Sequence, residues 1–184
     1  MLKKLMIVMA CVLLLVLVGQ CAFAQDTTGL KGRTEIQAAG AWLKTEVGSR
    51  KPEVTVIGGN YGTFIAPKIE LQGALIYGNA KGLGSTTGHA WLIAPAALYN
   101  FVPETPSATV PYIGAGFTYA NVSGGGESND SFKLQYLAGV RFFLGGDYAT
   151  SNKAVFIEYR HTNVDFGNNA KVDMIWTGIS TFLK

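Results

Sequence analysis

The sequence predicts an all-β fold, an eight-stranded antiparallel up-and-down transmembrane β-barrel behind an export signal. Three observations predict it. From Thr34 onward the chain is a row of short segments in which apolar and polar residues alternate, the period of two that side chains follow along a strand. The segments number eight, and an even count suits a closed antiparallel barrel of the smallest kind. No segment beyond residue 24 reads as a transmembrane helix, so a membrane protein made from this chain crosses as a barrel.

Residues 1–24 read as a signal peptide. Lys3 and Lys4 give a basic start, Leu5 to Gly19 is almost wholly apolar, and Ala22-Phe23-Ala24 supplies a small-x-small cleavage pattern. The apolar run falls short of the roughly 20 residues that a membrane-spanning helix needs. Cys21 closes that run as in a lipoprotein, but Gln20 stands where a lipoprotein signal has a small residue. Cleavage after Ala24 starts the mature chain at Gln25. Both cysteines, Cys11 and Cys21, are then lost, which excludes disulfides and thiolate metal sites. Losing Lys3 and Lys4 lowers the net charge from +3 to about +1, which implies no nucleic-acid partner.

Residues 25–33 form a short polar lead-in to a barrel at 34–184. The alternation predicts strands at 34–45, 53–65, 69–80, 89–102, 110–122, 132–145, 153–164 and 171–183. About 9–11 residues suffice for a strand to cross the membrane. The connections after the first, third, fifth and seventh strands (Thr45 to Pro52, Lys81 to Gly88, Ser123 to Ser131, Asp165 to Ala170) are charged, Gly-rich or Asn-rich. Those after the second, fourth and sixth are Ala66-Pro67-Lys68, Pro103 to Thr109 and Gly146 to Asn152.

Alternation alone leaves open which face is inside, and a lipocalin-like barrel would turn its oily face inward. The residue types favour the inverted arrangement. Gly114, Gly116, Thr118 and Ala120 on strand five, with Ala74 and Gly78 on strand three, suit a crowded narrow lumen. Their opposite faces, Pro111, Ile113, Ala115, Phe117, Tyr119 and Ile69, Leu71, Gly73, Leu75, Tyr77, suit lipid. Trp91, Tyr99 and Phe101 bracket strand four, and Phe132 and Phe142 bracket strand six, as aromatic girdles at two membrane interfaces do. Glu35, Glu70, Lys133, Arg141, Glu158, Arg160 and Asp173 then fall inside as a structural charge network. Buried charges must pair, and Arg141 is expected to reach Glu158 diagonally across strands six and seven, with Gly139 leaving room. An inward Asp173 puts Met174, Trp176 and Phe182 on the outer face of strand eight.

Val110-Pro111-Tyr112-Ile113-Gly114-Ala115-Gly116-Phe117, Leu137 to Leu144, Phe156 to Asn163 and Pro67-Lys68-Ile69-Glu70-Leu71 resemble the small outer-membrane β-barrel family of the OmpA transmembrane domain, OmpX and OmpW. The resemblance covers nearly all of the mature chain. It implies the outer membrane of a Gram-negative bacterium and an amino terminus in the periplasm. The first set of connections is then extracellular and the second periplasmic. It also implies assembly by the barrel-assembly machinery, which recognises a terminal aromatic, although this chain ends Phe182-Leu183-Lys184. Either Phe182 serves with an overhang or Leu183 stands in for it. The resemblance favours Ile179 and Leu183 outside, against the placement drawn from Asp173.

Residues suited to chemistry are sparse. Arg160-His161-Thr162-Asn163 resembles the His-x-Ser-Asn segment of lipid A deacylases, but Asn163 holds the serine position and an amide is no nucleophile. His89 and His161 make no metal site without further ligands. Gly124-Gly125-Gly126 lacks the Lys-Ser/Thr and helix of a phosphate cradle. No cofactor, metal or catalytic set is therefore expected. The predicted function is a non-enzymatic, monomeric barrel whose loops contact lipopolysaccharide, host or partner molecules, with Lys44, Arg50, Lys51 and Lys81 facing anionic headgroups. A narrow pore for small or hydrophobic solutes, which the OmpW resemblance implies, is the alternative, and a lipid A-modifying enzyme comes third.

Overall fold

In the computed structural model, which describes residues 30–44, 53–81, 88–124, 127–164 and 170–184, eight strands form one closed antiparallel barrel in chain order. They are β1 (Thr34–Lys44), β2 (Glu53–Ala66), β3 (Ile69–Lys81), β4 (Gly88–Asn100), β5 (Thr109–Gly124), β6 (Glu127–Phe143), β7 (Lys153–Val164) and β8 (Ala170–Leu183). The one large departure from the expected boundaries is at β5 and β6, whose ladder continues to Gly124 opposite Glu127. Ser123 to Ser131 is polar and Gly-rich and reads as a loop, but ladder hydrogen bonds are made by backbone and need no apolar side chain. The expected signal peptide and the connections 45–52, 82–87 and 165–169 lie outside the described residues.

β1 closes on β8 from Thr34 opposite Leu183 to Ala39 opposite Gly178. Following the ladder from Ala38 through Gly59, Leu75, Ile93 and Tyr119 leads to Phe132 on β6. The other way round, through Ile179 and Val155, leads to Phe142. Closure thus displaces the strands by the ten residues from Phe132 to Phe142, and such a stagger fixes tilt and lumen width together.

Strand parity sets the two faces. Ile69, Leu75, Ile113, Phe117, Phe132, Leu134, Tyr136 and Phe142 point outward and are exposed, while Ala74, Ile76, Tyr112, Thr118, Gln135 and Arg141 are buried inside. β8 runs opposite to expectation. Trp176 and Phe182 are buried in the lumen, Met174 packs against the inner cluster, and Ile175, Ile179 and Leu183 face out. Both faces of β8 are apolar, so its pattern is weak, and a slip of one residue exchanges every side chain. Filling the lumen with an indole and a phenyl ring decides the choice, at the expense of placing Asp173 outside.

The end of the barrel that carries the connections after β2, β4 and β6 is sealed by Leu30, Phe64, Val102, Val110, Phe143, Tyr148, Ala154 and Phe182. Residues 30–33 form a strap across it. Gly32, at φ +77°, lets the chain bend so that its N–H reaches the Phe64 carbonyl at 2.9 Å and Leu30 enters the floor. Arg33 Nη1 and Nη2 donate to the carbonyls of Tyr148 (2.5 Å) and Ser151 (2.7 Å), and its guanidinium lies 5.0 Å from the Phe182 ring centre. The turn supplying those carbonyls is ordered by Asp147, whose Oδ1 accepts from Ala149 N, Thr150 N and Thr150 Oγ1, each at 2.9 Å. The Thr150 hydrogen bonds foremost hold this carboxyl below its ordinary range.

Candidate functional site in the lumen

Arg141 enters the lumen from β6 and is fully buried together with Glu35 and Glu70. Its Nε donates to Glu35 Oε1 (2.9 Å) and its Nη2 to Glu35 Oε2 (2.6 Å), a bidentate fork, and the same Nη2 reaches Glu70 Oε2 at 2.7 Å. Nη1 donates to Asn100 Oδ1 at 2.5 Å. The guanidinium lies 4.2 Å from the Tyr112 ring centre and 5.8 Å from that of Phe64. Every donor face of the cation therefore meets either an oxygen or a π face. Lysine has a single charged point and does not reproduce that set.

Glu158 does not pair directly with Arg141 as expected. The space beside Gly139 is taken by Tyr112, since a methyl group at Gly139 would come within 2.5 Å of the ring Cζ and hydroxyl. Tyr112 links the two groups instead: its face lies against Arg141 while its hydroxyl donates to Glu158 Oε2 at 3.0 Å. Arg160 Nε and Nη2 donate to Glu158 Oε1 at 3.0 and 2.7 Å. A Tyr112→Phe substitution is expected to lower unfolding free energy by about 1–3 kcal/mol, because a buried carboxylate loses a donor. Urea titration of the barrel in vesicles measures it.

Amides extend the network. Gln37 Nε2 donates to Glu35 Oε1 at 2.8 Å, and Gln37 Oε1 accepts from Asn60 Nδ2 and from Gln72 Nε2 at 3.3 Å. The chain has one direction because an ionised carboxylate can only accept. Gln37, Asn60, Gln72, Asn100 and Tyr112 escaped the sequence reading, although all but Asn60 and Asn100 share their strand's inward parity with a named charge or small lumen residue. Lys133 points inward on β6, eight residues nearer the opposite end than Arg141, and is half-buried.

Asp173 lies outside the lumen. It stands opposite His161 on the outer face, where its Oδ1 accepts from the Tyr159 hydroxyl at 2.5 Å and lies 2.6 Å from His161 Nδ1. The other histidine, His89, meets the Tyr77 hydroxyl through Nδ1 at 2.8 Å. Among the described residues no three His, Cys, Asp or Glu side chains group as a metal site.

The family model described as "Outer membrane protein beta-barrel domain" matches residues 10–180. Among solved structures, the N-terminal β-barrel domain of Pseudomonas aeruginosa OprF is similar at 20% identity and a TM-score of 0.57, covering 83% of this chain and 98% of that one. Neisserial surface protein A is similar at 23% identity and a TM-score of 0.52, covering 81% and 93%. Ail of Yersinia pestis, in complex with the heparin analogue sucrose octasulfate, is similar at 18% identity and a TM-score of 0.50, covering 83% and 99%. Likeness at these identities concerns the fold. Among curated proteins none matches the chain.

Proposed function

The chain belongs to the outer membrane protein β-barrel domain family, and from that membership we propose that it is a non-enzymatic surface barrel with a closed lumen. In this reading the amino terminus lies in the periplasm after cleavage behind Ala24, the strapped end faces the periplasm, and the connections after β1, β3, β5 and β7 face outward to lipopolysaccharide or a partner. The observation that carries it is the Arg141 cluster. Glu35, Glu70 and Arg141 have no exposed side-chain surface, with the Phe64–Phe182 floor on one side and the Ile76–Ala94–Trp176 cluster on the other. A hydrated path needs exposed polar surface, and side chains fill that place here.

Purified barrel in planar bilayers is expected to give no stable open conductance level, and Arg33→Ala, which loosens the strap while sparing the charge cluster, is expected to leave it closed. A steady open level in the wild-type protein overturns this reading in favour of a pore. A shift in gel mobility between the unboiled and the boiled sample checks that each sample is a barrel.

A further inference from the structure

Among the described residues, the outer face of β6 to β8 carries a polar cluster where most of the surrounding wall is apolar. Tyr136, His161 and Asp173 lie in one cross-strand row over β6, β7 and β8, with Tyr159 beside them. Their described outward neighbours are Leu134, Ala138, Ile157 and Ile175. Phe132 and Phe142 on β6 stand ten residues apart, and at about 3.3 Å per residue and a tilt near 40° that separation is roughly 25 Å, the height of the apolar band. Tyr136 is four residues inside the Phe132 limit. The stagger of the ladder raises each successive strand from β6 towards β8, so His161 and Asp173 come just below that limit. Near the edge of the apolar band an ionisable side chain costs little, and there it can reach the polar part of a lipid while its neighbours meet the acyl chains. Here the side chains of Asp173 and His161 keep 56% and 27% of their surface exposed while bonded to each other.

From this we infer that Tyr136, Tyr159, His161 and Asp173 form a docking site for an outer-leaflet glycolipid, taken at the junction of its sugar and acyl chains. The inference rests on the membrane orientation proposed above and deepens it by giving the lipid contact a place. Chemistry selects the ligand. A carboxylate repels phosphate and accepts from hydroxyl and amide N–H groups, which an acylated amino sugar presents at that junction. With His161 Nδ1 held 2.6 Å from Asp173, its Nε2 presents a second polar contact to the ligand. The exposed rings of Tyr136 and Tyr159 supply faces for a sugar or the start of an acyl chain. No bond is made or broken, since Asn163 supplies no nucleophile.

The test is anisotropy titration of fluorescently labelled lipopolysaccharide with the detergent-solubilised full chain. Asp173→Asn and Tyr159→Ala are each expected to weaken binding about tenfold, the first by losing a charge-assisted hydrogen bond to the ligand and the second by losing a ring face. Lys153→Gln, exposed at the far end of β7, is expected to bind as wild type does. Mobility shift on heating establishes folding, and should Asp173→Asn not fold, Tyr159→Ala decides. Unchanged binding in the folded variants overturns the inference. So does equal competition by unlabelled phosphatidylethanolamine, whose ammonium would then be the donor. Binding lost in Arg50→Gln with Lys51→Gln but kept in Asp173→Asn places the contact in the loops, which overturns the site and leaves the surface-barrel reading standing. Conductance tests that reading separately.

Discussion

Replacing Arg141 by Met is expected to cost about 3–5 kcal/mol of unfolding free energy, because it leaves buried carboxylates without their cation. Glu35 loses both arms of the fork and Glu70 its guanidinium contact, while Asn100 and Tyr112 lose the group they hold. A barrel of ordinary stability has few kcal/mol to spare. The variant is therefore expected to yield mostly the unfolded band after refolding, read by gel mobility and by urea titration. Adding Glu35→Gln and Glu70→Gln to Arg141→Met removes the stranded charges and is expected to restore most of the folded band. A triple variant no better than the single one would show that packing volume, rather than charge, is what Arg141 provides.

The second large effect is expected at the chain end. Phe182→Ala removes a ring whose centre lies 5.1 Å from that of Phe143 and 6.3 Å from that of Phe64, with the Arg33 guanidinium over its face. Truncating a buried phenyl ring costs about 3–5 kcal/mol when the site cannot collapse, and the floor is bound to the strap and to rigid strands. Leu183→Ala, one residue on and facing outward, is expected to cost under about 1 kcal/mol. The same pair probes assembly. If assembly machinery reads the outer edge of the last strand it meets Leu183, and Leu183→Asp is then expected to slow insertion more than it lowers folded stability. Equal losses of stability at 182 and 183 would contradict the burial of Phe182.

Strand number, strand order and the faces of β3, β5 and β6 were legible because alternation is local and those strands have one plainly apolar side. β8 was not, since Met174, Trp176 and Phe182 oppose Ile175, Ile179 and Leu183 with no polar face to choose between them. One acid, Asp173, was then made to decide, and the need to fill the lumen outweighed it. The inward placement of Glu35, Glu70, Arg141, Glu158 and Arg160 followed from parity alone. Their pairing did not, because Arg141 meets Glu35 and Glu70 across 106 and 71 residues of chain. Periodicity has no memory of such distances. Gly139 offered a partial signal: it does mark a cleared space, but the occupant is Tyr112 from the neighbouring strand.

The strap over the floor also fixes an order of events. Arg33 precedes its acceptors Tyr148 and Ser151 by 115 and 118 residues, and its ring partner Phe182 belongs to the last strand. The strap backbone bonds Phe64 of the second strand, but the side-chain partners of Arg33 are not complete until nearly all of the chain has been threaded. Contacts of such span are made late, after the loop entropy has been overcome. The first residues of the barrel are thus among the last to come to rest, and a chain that stops short of β8 has no floor for them to close.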